Sequence, residues 1–300
     1  MQNRSEKLLA FRRPSFNFCL SQSVLCLGSK TKIMGVLNVT PDSFSDGGFY
    51  YHPQNVKIAT QRALRLQEEG ADIIDVGGES SRPGAVPVSN KEEIKRILPV
   101  LKSLKKRITV PLSIDTYKLE VAHAALDQGV TLVNDIMGLR DNSSMAKLIA
   151  RYKAGVVLMH MKGNPRNMQK NPRYDGTLKV IKNFLKKAVD FALSFGIRRS
   201  SIAIDPGFGF GKTTQQNMEI LGELSFFSSL KMPILVGVSR KSFIGNVLGV
   251  PVLERLNGSL AAAARAVQEG AHILRVHDVL AHRQLVDFMD AVPPYRWRVR

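Results

Sequence analysis

Polar residues with binding or charge chemistry recur at one kind of place in this sequence, directly after short aliphatic runs. The runs end in Asn38, Asp75, Asp115, Asn134, Met159–His160, Asp205, Ser239–Lys241 and Arg275–His277. Singly, each serves as well for a helix N-cap or a turn. Together, Asp115, Asn134, Asp205 and Lys241 suit a flat, amide-rich heterocycle: carboxylates accept from ring N–H and amino groups, and Asn and Lys address a ring carbonyl. Arg275 and His277 stand two apart and share one face of a strand. Arg offers phosphate a bidentate fork and His a further donor. Asn38, their neighbour if the strands close into a ring, offers an oxygen to Mg²⁺, which also binds phosphate and water. The competing reading pairs Arg275 with Asp278 on the surface.

Other chemistries fit less well. Asp205 to Thr213 (DPGFGFGKT) looks like a nucleotide P-loop, but that pattern needs Gly where Pro206 stands. It reads instead as a shaped loop, with Phe210 placed to stack on or wall off a ring. His160, His272 and His277 lack the spacing of a zinc site, and no nucleophile elbow supports a Ser/His/Asp triad. Two Gly- and Ser-rich loops, Asn38–Gly48 and Gly77–Gly84, have the composition of lids that order on substrate.

Positioning these groups on one face requires a repeating scaffold. Strands are expected at 33–38, 71–76, 110–115, 131–134, 155–160, 201–205, 233–238 and 272–277. Helical stretches follow at 52–69, 90–107 (capped by Asn90), through 126, 142–151, 177–195, 214–228, 241–268 and 279–291. Eight such units in ~260 residues, with near-continuous apolar strands, predict a single-domain (β/α)8 TIM barrel. An open doubly wound sheet is the alternative. The expected division is an N-terminal extension at 1–30, alternating like a short hairpin lid, a barrel at 31–292 and a basic tail at 293–300.

The whole chain has 300 residues and a net charge of +18, from 43 Lys and Arg against 25 Asp and Glu. Residues 151–200 alone contribute +10, whereas 31–150 are nearly balanced with 15 basic and 14 acidic side chains. The surplus is therefore local, a solvated helix face rather than a nucleic-acid surface, and no nucleic-acid-binding motif accompanies it. The longest apolar runs fall far short of the ~20 residues of a membrane span. Two cysteines, Cys19 and Cys26, make no disulfide framework and point to a reducing cytoplasm. Arg4, Arg12 and Arg13 give the N-terminus some character of a mitochondrial presequence, and Glu6 counts against it.

Several long blocks occur in order from about residue 33 to 290: IMGVLNVTPDSFSDGG, DIIDVGGESSRPGA, PLSIDTYK, VNDIMG, LMHMKGNP, DPGFGFGKT, VGVSRKSFIG and RVHDV. Together they resemble the dihydropteroate synthase family. The resemblance implies a (β/α)8 barrel, usually a homodimer and a sulfonamide target. Its members join p-aminobenzoate to 6-hydroxymethyl-7,8-dihydropterin diphosphate with Mg²⁺, releasing diphosphate. It further implies that Asp115, Asn134, Asp205 and Lys241 hold the pterin, with Met159 and Phe210 lining the pocket. By the same carry-over Arg275 and His277 anchor the diphosphate and Asn38 is the metal ligand. Ser81, Arg82, Pro83 and Ser242 would meet p-aminobenzoate. Asp42 would face the pterin and, with Asp115 and Lys241, serve catalysis.

One departure is visible: Ser81 stands where the family usually has Thr, which removes on the order of 1 kcal/mol of apolar contact. No second enzyme is read on the sequence, so pterin pyrophosphokinase activity is not expected of it. The alternative function is that of a related barrel binding methyltetrahydrofolate for methyl transfer, which needs neither the SRKS block nor the TPDSF loop.

Overall fold

Two sets of apolar residues alternate along each parallel run, and this parity builds the molecule. The computed structural model describes residues 13–40, 53–80, 84–163, 168 and 172–292. Eight strands run parallel: β3 (Lys32–Asn38), β4 (Ile73–Gly77), β5 (Leu112–Asp115), β6 (Leu132–Asp135), β7 (Gly155–Met159), β8 (Ile202–Asp205), β9 (Leu235–Val236) and β10 (Ile273–Val276). Their spatial order is β8-β7-β6-β5-β4-β3-β10-β9. A bridge between Ile204 and Ile234, beside an Ile204 N–H bond to the Pro233 carbonyl of 2.9 Å, brings the two ends of that order together. The sheet thus closes, and the expected (β/α)8 barrel is the fold.

One parity of side chains, including Ile33, Ile74, Ile114, Val133, Val156, Ile204 and Leu274, packs outward into a shared cluster with the helices. The other parity points inward. Its lower members Met34, Ile73, Leu132, Val157, Ala203, Leu235 and Ile273 form a separate apolar cluster. Two residues further along the same faces stand Asp75, Asn134, Met159, Asp205 and Arg275, so the polar groups share the interior side with an apolar floor.

The helices are α1 (Pro53–Glu68), α2 (Asn90–Leu104), α3 (Leu119–Asp127), α4 (Ser143–Tyr152), α5 (Thr177–Ser194), α6 (Thr214–Gly222), α7 (Ser242–Leu248), α8 (Leu256–Gln268) and α9 (Val279–Ala291). Three expectations need correction. The helix expected over 214–228 stops at Gly222 and gives way to a 3-10 segment, Leu224–Leu230. The stretch 241–268 divides into α7 and α8, because Gly249 ends α7 at φ +70° and Pro251 follows it. The cap of α2 is Ser89 rather than Asn90: the Ser89 hydroxyl accepts the Glu92 N–H at 3.2 Å, while Asn90 donates to Glu120.

Before the barrel, β1 (Phe16–Cys19) and β2 (Val24–Leu27) form an antiparallel hairpin. It is not a lid over the polar mouth. Phe18, Leu20 and Leu27 belong to the inner floor cluster, so the hairpin plugs the opposite end of the barrel. Close approach there requires Gly155, where a Cβ would fall 2.6 Å from Leu20 Cδ2 and 3.3 Å from Phe18 Cζ. The plug is latched at its edges: Arg13 donates to Thr31, Asp290 and the Ala271 carbonyl, and the Thr31 N–H donates to Asp290. Phe18 is fully buried. We predict that Phe18→Ala destabilises the fold by roughly 3–5 kcal/mol through the cavity it leaves. Denaturant unfolding within about 1 kcal/mol of wild type would show that the hairpin is no plug.

Among the described residues, no helix is long and apolar enough to cross a membrane. The expected tail 293–300 lies outside the described residues.

Candidate active site

Lateral register sets the first row of the site. Asn38 lies opposite Gly77, Gly77 opposite Asp115, and Asp115 opposite Asn134, three neighbouring ladders at the C-terminal rim. Met159 and Asp205 are likewise opposite each other. Strand ends in register need no long side chains to converge, which is why this rim collects small polar groups.

A charge cluster lies within the row. Arg275 donates through Nε to Asp75 and through Nη2 to Asp115, both at 2.6 Å. Asn134 Nδ2 donates to the same Asp75 oxygen at 3.0 Å. Asp75 is fully buried, and its Oδ1 has no hydrogen-bond partner among the described residues. Sequence reading placed Asp75 at a strand end and gave it no role, yet it joins Asn134 to Arg275. The signal was there: Asp75 shares its strand parity with the floor residue Ile73. The alternative pairing of Arg275 with Asp278 is overturned, because Arg240 takes Asp278, with contacts of 2.9 and 2.6 Å.

Lys241, the residue before α7, places its ammonium 4.1 Å from the centre of the Phe210 ring. Burial and the nearby Arg275 lower its pKa to about 8, against the pull of Asp205 and Asp115. Burial pushes Asp205 up to about 6, although the Gly207 N–H donates to it at 2.7 Å and Lys241 stands near. Asp115 is pushed up to about 7, chiefly by burial, with Arg275 opposing and Asp75 reinforcing. Asp75 and Glu93 add to the rise, and Arg275 and Lys241 oppose it without cancelling the effect of burial.

His277 stands at the end of the strand that carries Arg275. Burial, then Arg275 and Lys241, bring it down to about 3, so it is neutral near pH 7. Its Nδ1 lies 3.1 Å from the Ser239 hydroxyl. If that hydroxyl donates, Nε2 carries the proton and is free to donate.

The apolar side of the site is a small cluster of Ile136, Met159, Met161, Met168 and Phe210. Met159 and Phe210 were expected; the other three were missed, because they sit in loops with no periodicity to mark them. The glycine-rich loop after β8 packs tightly on the end of β7. At Gly207, φ is +74° and a Cβ would lie 2.0 Å from the His160 carbonyl, so only glycine fits. Lys212 turns inward, its ammonium held by the carbonyls of Gly207 (2.7 Å), Phe210 (3.0 Å) and His160 (3.2 Å) and beside His160 Nδ1 (3.0 Å). This lysine is therefore spent on the loop itself and is not a nucleotide-binding lysine.

Asn38 and Asp115 flank Gly77. A Cβ at Gly77 would lie 3.7 Å from Asn38 Oδ1 and 3.8 Å from Asp115 Oδ2, so the missing side chain leaves a cradle edged by two hard oxygens. Among the described residues no group of three or more His, Cys, Asp or Glu could hold a metal alone. Ser242 is exposed in the first turn of α7. Asp42, Ser81, Arg82 and Pro83 lie outside the described residues.

The family model described as pterin binding enzyme matches residues 34–277. A curated relative from Synechocystis, named dihydropteroate synthase, is 42% identical over 280 residues, covering 93% of this chain and 94% of the relative. The solved dihydropteroate synthase of Yersinia pestis in complex with a sulfonamide drug superposes with a TM-score of 0.86 at 41% identity, covering 92% of this chain and 98% of that one. That of Xanthomonas albilineans with 4-aminobenzoic acid gives 0.85 at 40% identity, covering 93% and 100%.

Proposed function

This chain belongs to the pterin-binding enzymes, among the dihydropteroate synthases, and from that premise we propose how its own residues perform the reaction. The enzyme condenses p-aminobenzoate with 6-hydroxymethyl-7,8-dihydropterin diphosphate, giving 7,8-dihydropteroate and diphosphate. Membership in this family replaces the alternative of a methyl-transfer barrel.

The observation that carries the residue assignment is the chain Asn134–Asp75–Arg275–Asp115, with Lys241 and Phe210 on the same rim. Asp115, Asn134 and Asp205 meet the donors and acceptors of the pterin, Lys241 its ring carbonyl, and Met159 and Phe210 its faces. Arg275 uses two donor groups on Asp75 and Asp115, and its remaining N–H groups serve the diphosphate beside His277. The amine nitrogen of p-aminobenzoate bonds to the exocyclic methylene carbon. The C–O bond breaks with its electron pair leaving on diphosphate, and the amine yields one proton to water. Arg275 and His277 stabilise the charge that grows on the leaving group. Asp115, with Asp42, favours the positive charge left on the dihydropterin. Ser242, with Ser81, Arg82 and Pro83, receives p-aminobenzoate.

The cradle at Gly77 fits Mg²⁺, a hard ion that takes a few protein oxygens and completes its shell with phosphate and water. Asn38 would hold it beside Asp115; when bound, it supplies positive charge to the diphosphate oxygens. Incubation with both substrates and Mg²⁺ is expected to give dihydropteroate, and chelation by EDTA is expected to lower the rate at least about tenfold. No product with active controls would overturn the reading, and a rate indifferent to EDTA would remove the metal from it.

The chain is also proposed to act as a homodimer. Leu248, Val252, Leu253 and Phe288 are exposed apolar residues on α7, the link to α8, and α9. Sedimentation showing a monomer at micromolar concentration would refute the pairing.

A further inference from the structure

Arg240 occupies a backbone conformation that glycine adopts freely and arginine does not, with φ +57°. It lies between Ser239 and Lys241, in the segment joining β9 to α7. Its backbone and its guanidinium are both engaged. Its N–H donates to the Ser259 hydroxyl at 2.9 Å, and its carbonyl accepts from Arg255 at 3.2 Å. Its guanidinium forks onto Asp278, Nε to Oδ2 at 2.9 Å and Nη2 to Oδ1 at 2.6 Å. Asp278 is the residue after His277, and Lys241 the residue after Arg240. A second contact runs parallel: the His277 N–H donates to the Ser239 hydroxyl at 3.3 Å. Two chain segments, 239–241 and 277–278, are thus fastened at the point where one presents Lys241 and the other His277.

A strained arginine in a place suited to glycine needs a compensating task. Surface ion pairs with flexible partners contribute little to stability, and both members here are partly exposed. A planar fork on a carboxylate, by contrast, fixes direction as well as distance. Asp278 is held below the usual carboxylate range by Arg240 although its burial opposes this, so the pair stays ionic at neutral pH.

We propose that Arg240 is a positioning residue for the synthesis. Its left-handed backbone and its fork to Asp278 set Lys241 relative to His277, and so set the pterin end of the substrate relative to the diphosphate end. This rests on the roles assigned above to Lys241 and His277.

The test is Arg240→Gly, which keeps the backbone conformation and removes the fork. The expected kcat/KM for the pterin diphosphate falls at least about tenfold, as for other small misplacements of reacting groups. Its Tm stays within about 3 °C of wild type, since glycine relieves the backbone. In a Lys241→Ala background the same change alters kcat/KM by less than about threefold, because the residue it positions is gone. Asp278→Asn serves as the second variant and is expected to reproduce the loss. Wild-type kcat/KM in both variants, an undiminished loss in the Lys241→Ala background, or a loss that merely follows a lowered Tm would each overturn the proposal. A wild-type enzyme that makes no dihydropteroate would instead sink the functional reading on which it stands.

Discussion

Arg275→Met is expected to abolish measurable synthesis and to cost about 3–5 kcal/mol of stability, the usual penalty for removing one partner of a buried ion pair. The guanidinium is bonded at 2.6 Å to both Asp75 and Asp115, and Asp75 has no exposed surface. Without it two carboxylates face each other out of water. The pH dependence follows in sign. Burial, with Asp75 adding, already raises Asp115 to about 7 against the pull of Arg275. A carboxyl whose folded pKa lies above its unfolded value supports the fold below the unfolded pKa and loses that support as pH rises through the folded one. Removing Arg275 raises the folded value further, so the variant's deficit should widen from acid to alkaline pH. Arg275→Lys keeps a charge but lacks a fork that reaches two carboxylates, and should recover stability only in part. Urea unfolding of each variant at several pH values checks this. A deficit under about 1 kcal/mol, or one that shrinks with rising pH, would refute the account.

Lys241→Ala is expected to lower kcat/KM for the pterin diphosphate by at least about tenfold, a loss of about 1.4 kcal/mol of transition-state binding. Asp115→Ala should do the same. The pH profile separates this effect from loss of fold. In wild type Lys241 loses its proton as pH rises through about 8, an ammonium weakened by burial and by Arg275. On the acid side Asp205 takes a proton near 6 and Asp115 near 7, both raised mainly by burial. The free enzyme should therefore show a bell with limbs between about 6 and 8. His277 titrates near 3 and adds no limb in that range. Lys241→Ala should keep the acid limb and lose the alkaline one. An alkaline limb that survives the substitution would assign it to another group.

The barrel was legible because its signal is periodic. Near-continuous apolar runs recur between amphipathic stretches, and those containing Ile73, Leu132 and Ala203 carry a polar residue two positions on, at Asp75, Asn134 and Asp205. Where the reading failed, the deciding interaction was distant in sequence. Ser89 and Asn90 both have capping side chains, and Asn90 is drawn off by Glu120, 30 residues away. The hairpin at 16–27 was legible from alternation, but nothing in alternation says which end of a barrel it closes. Arg275 was read as a site cation and Asp115 as a pterin contact, but the pairing of Arg275 with Asp115 and Asp75, 160 and 200 residues earlier, was not read. Asp75 was passed over for the same reason. Asp42, Ser81, Arg82 and Pro83 rest on the family resemblance alone.

The latch under the barrel carries a consequence for how the chain is made. Arg13 finds its partners at Ala271 and Asp290, separations of 258 and 277 residues. During synthesis the hairpin leaves the ribosome long before those partners exist. Phe18 and Leu27 then lack their full set of partners while the eight strands of the barrel are translated. Contacts of such range form slowly, and exposed apolar surface invites aggregation meanwhile. The floor of this barrel is sealed by a segment translated before any of its strands.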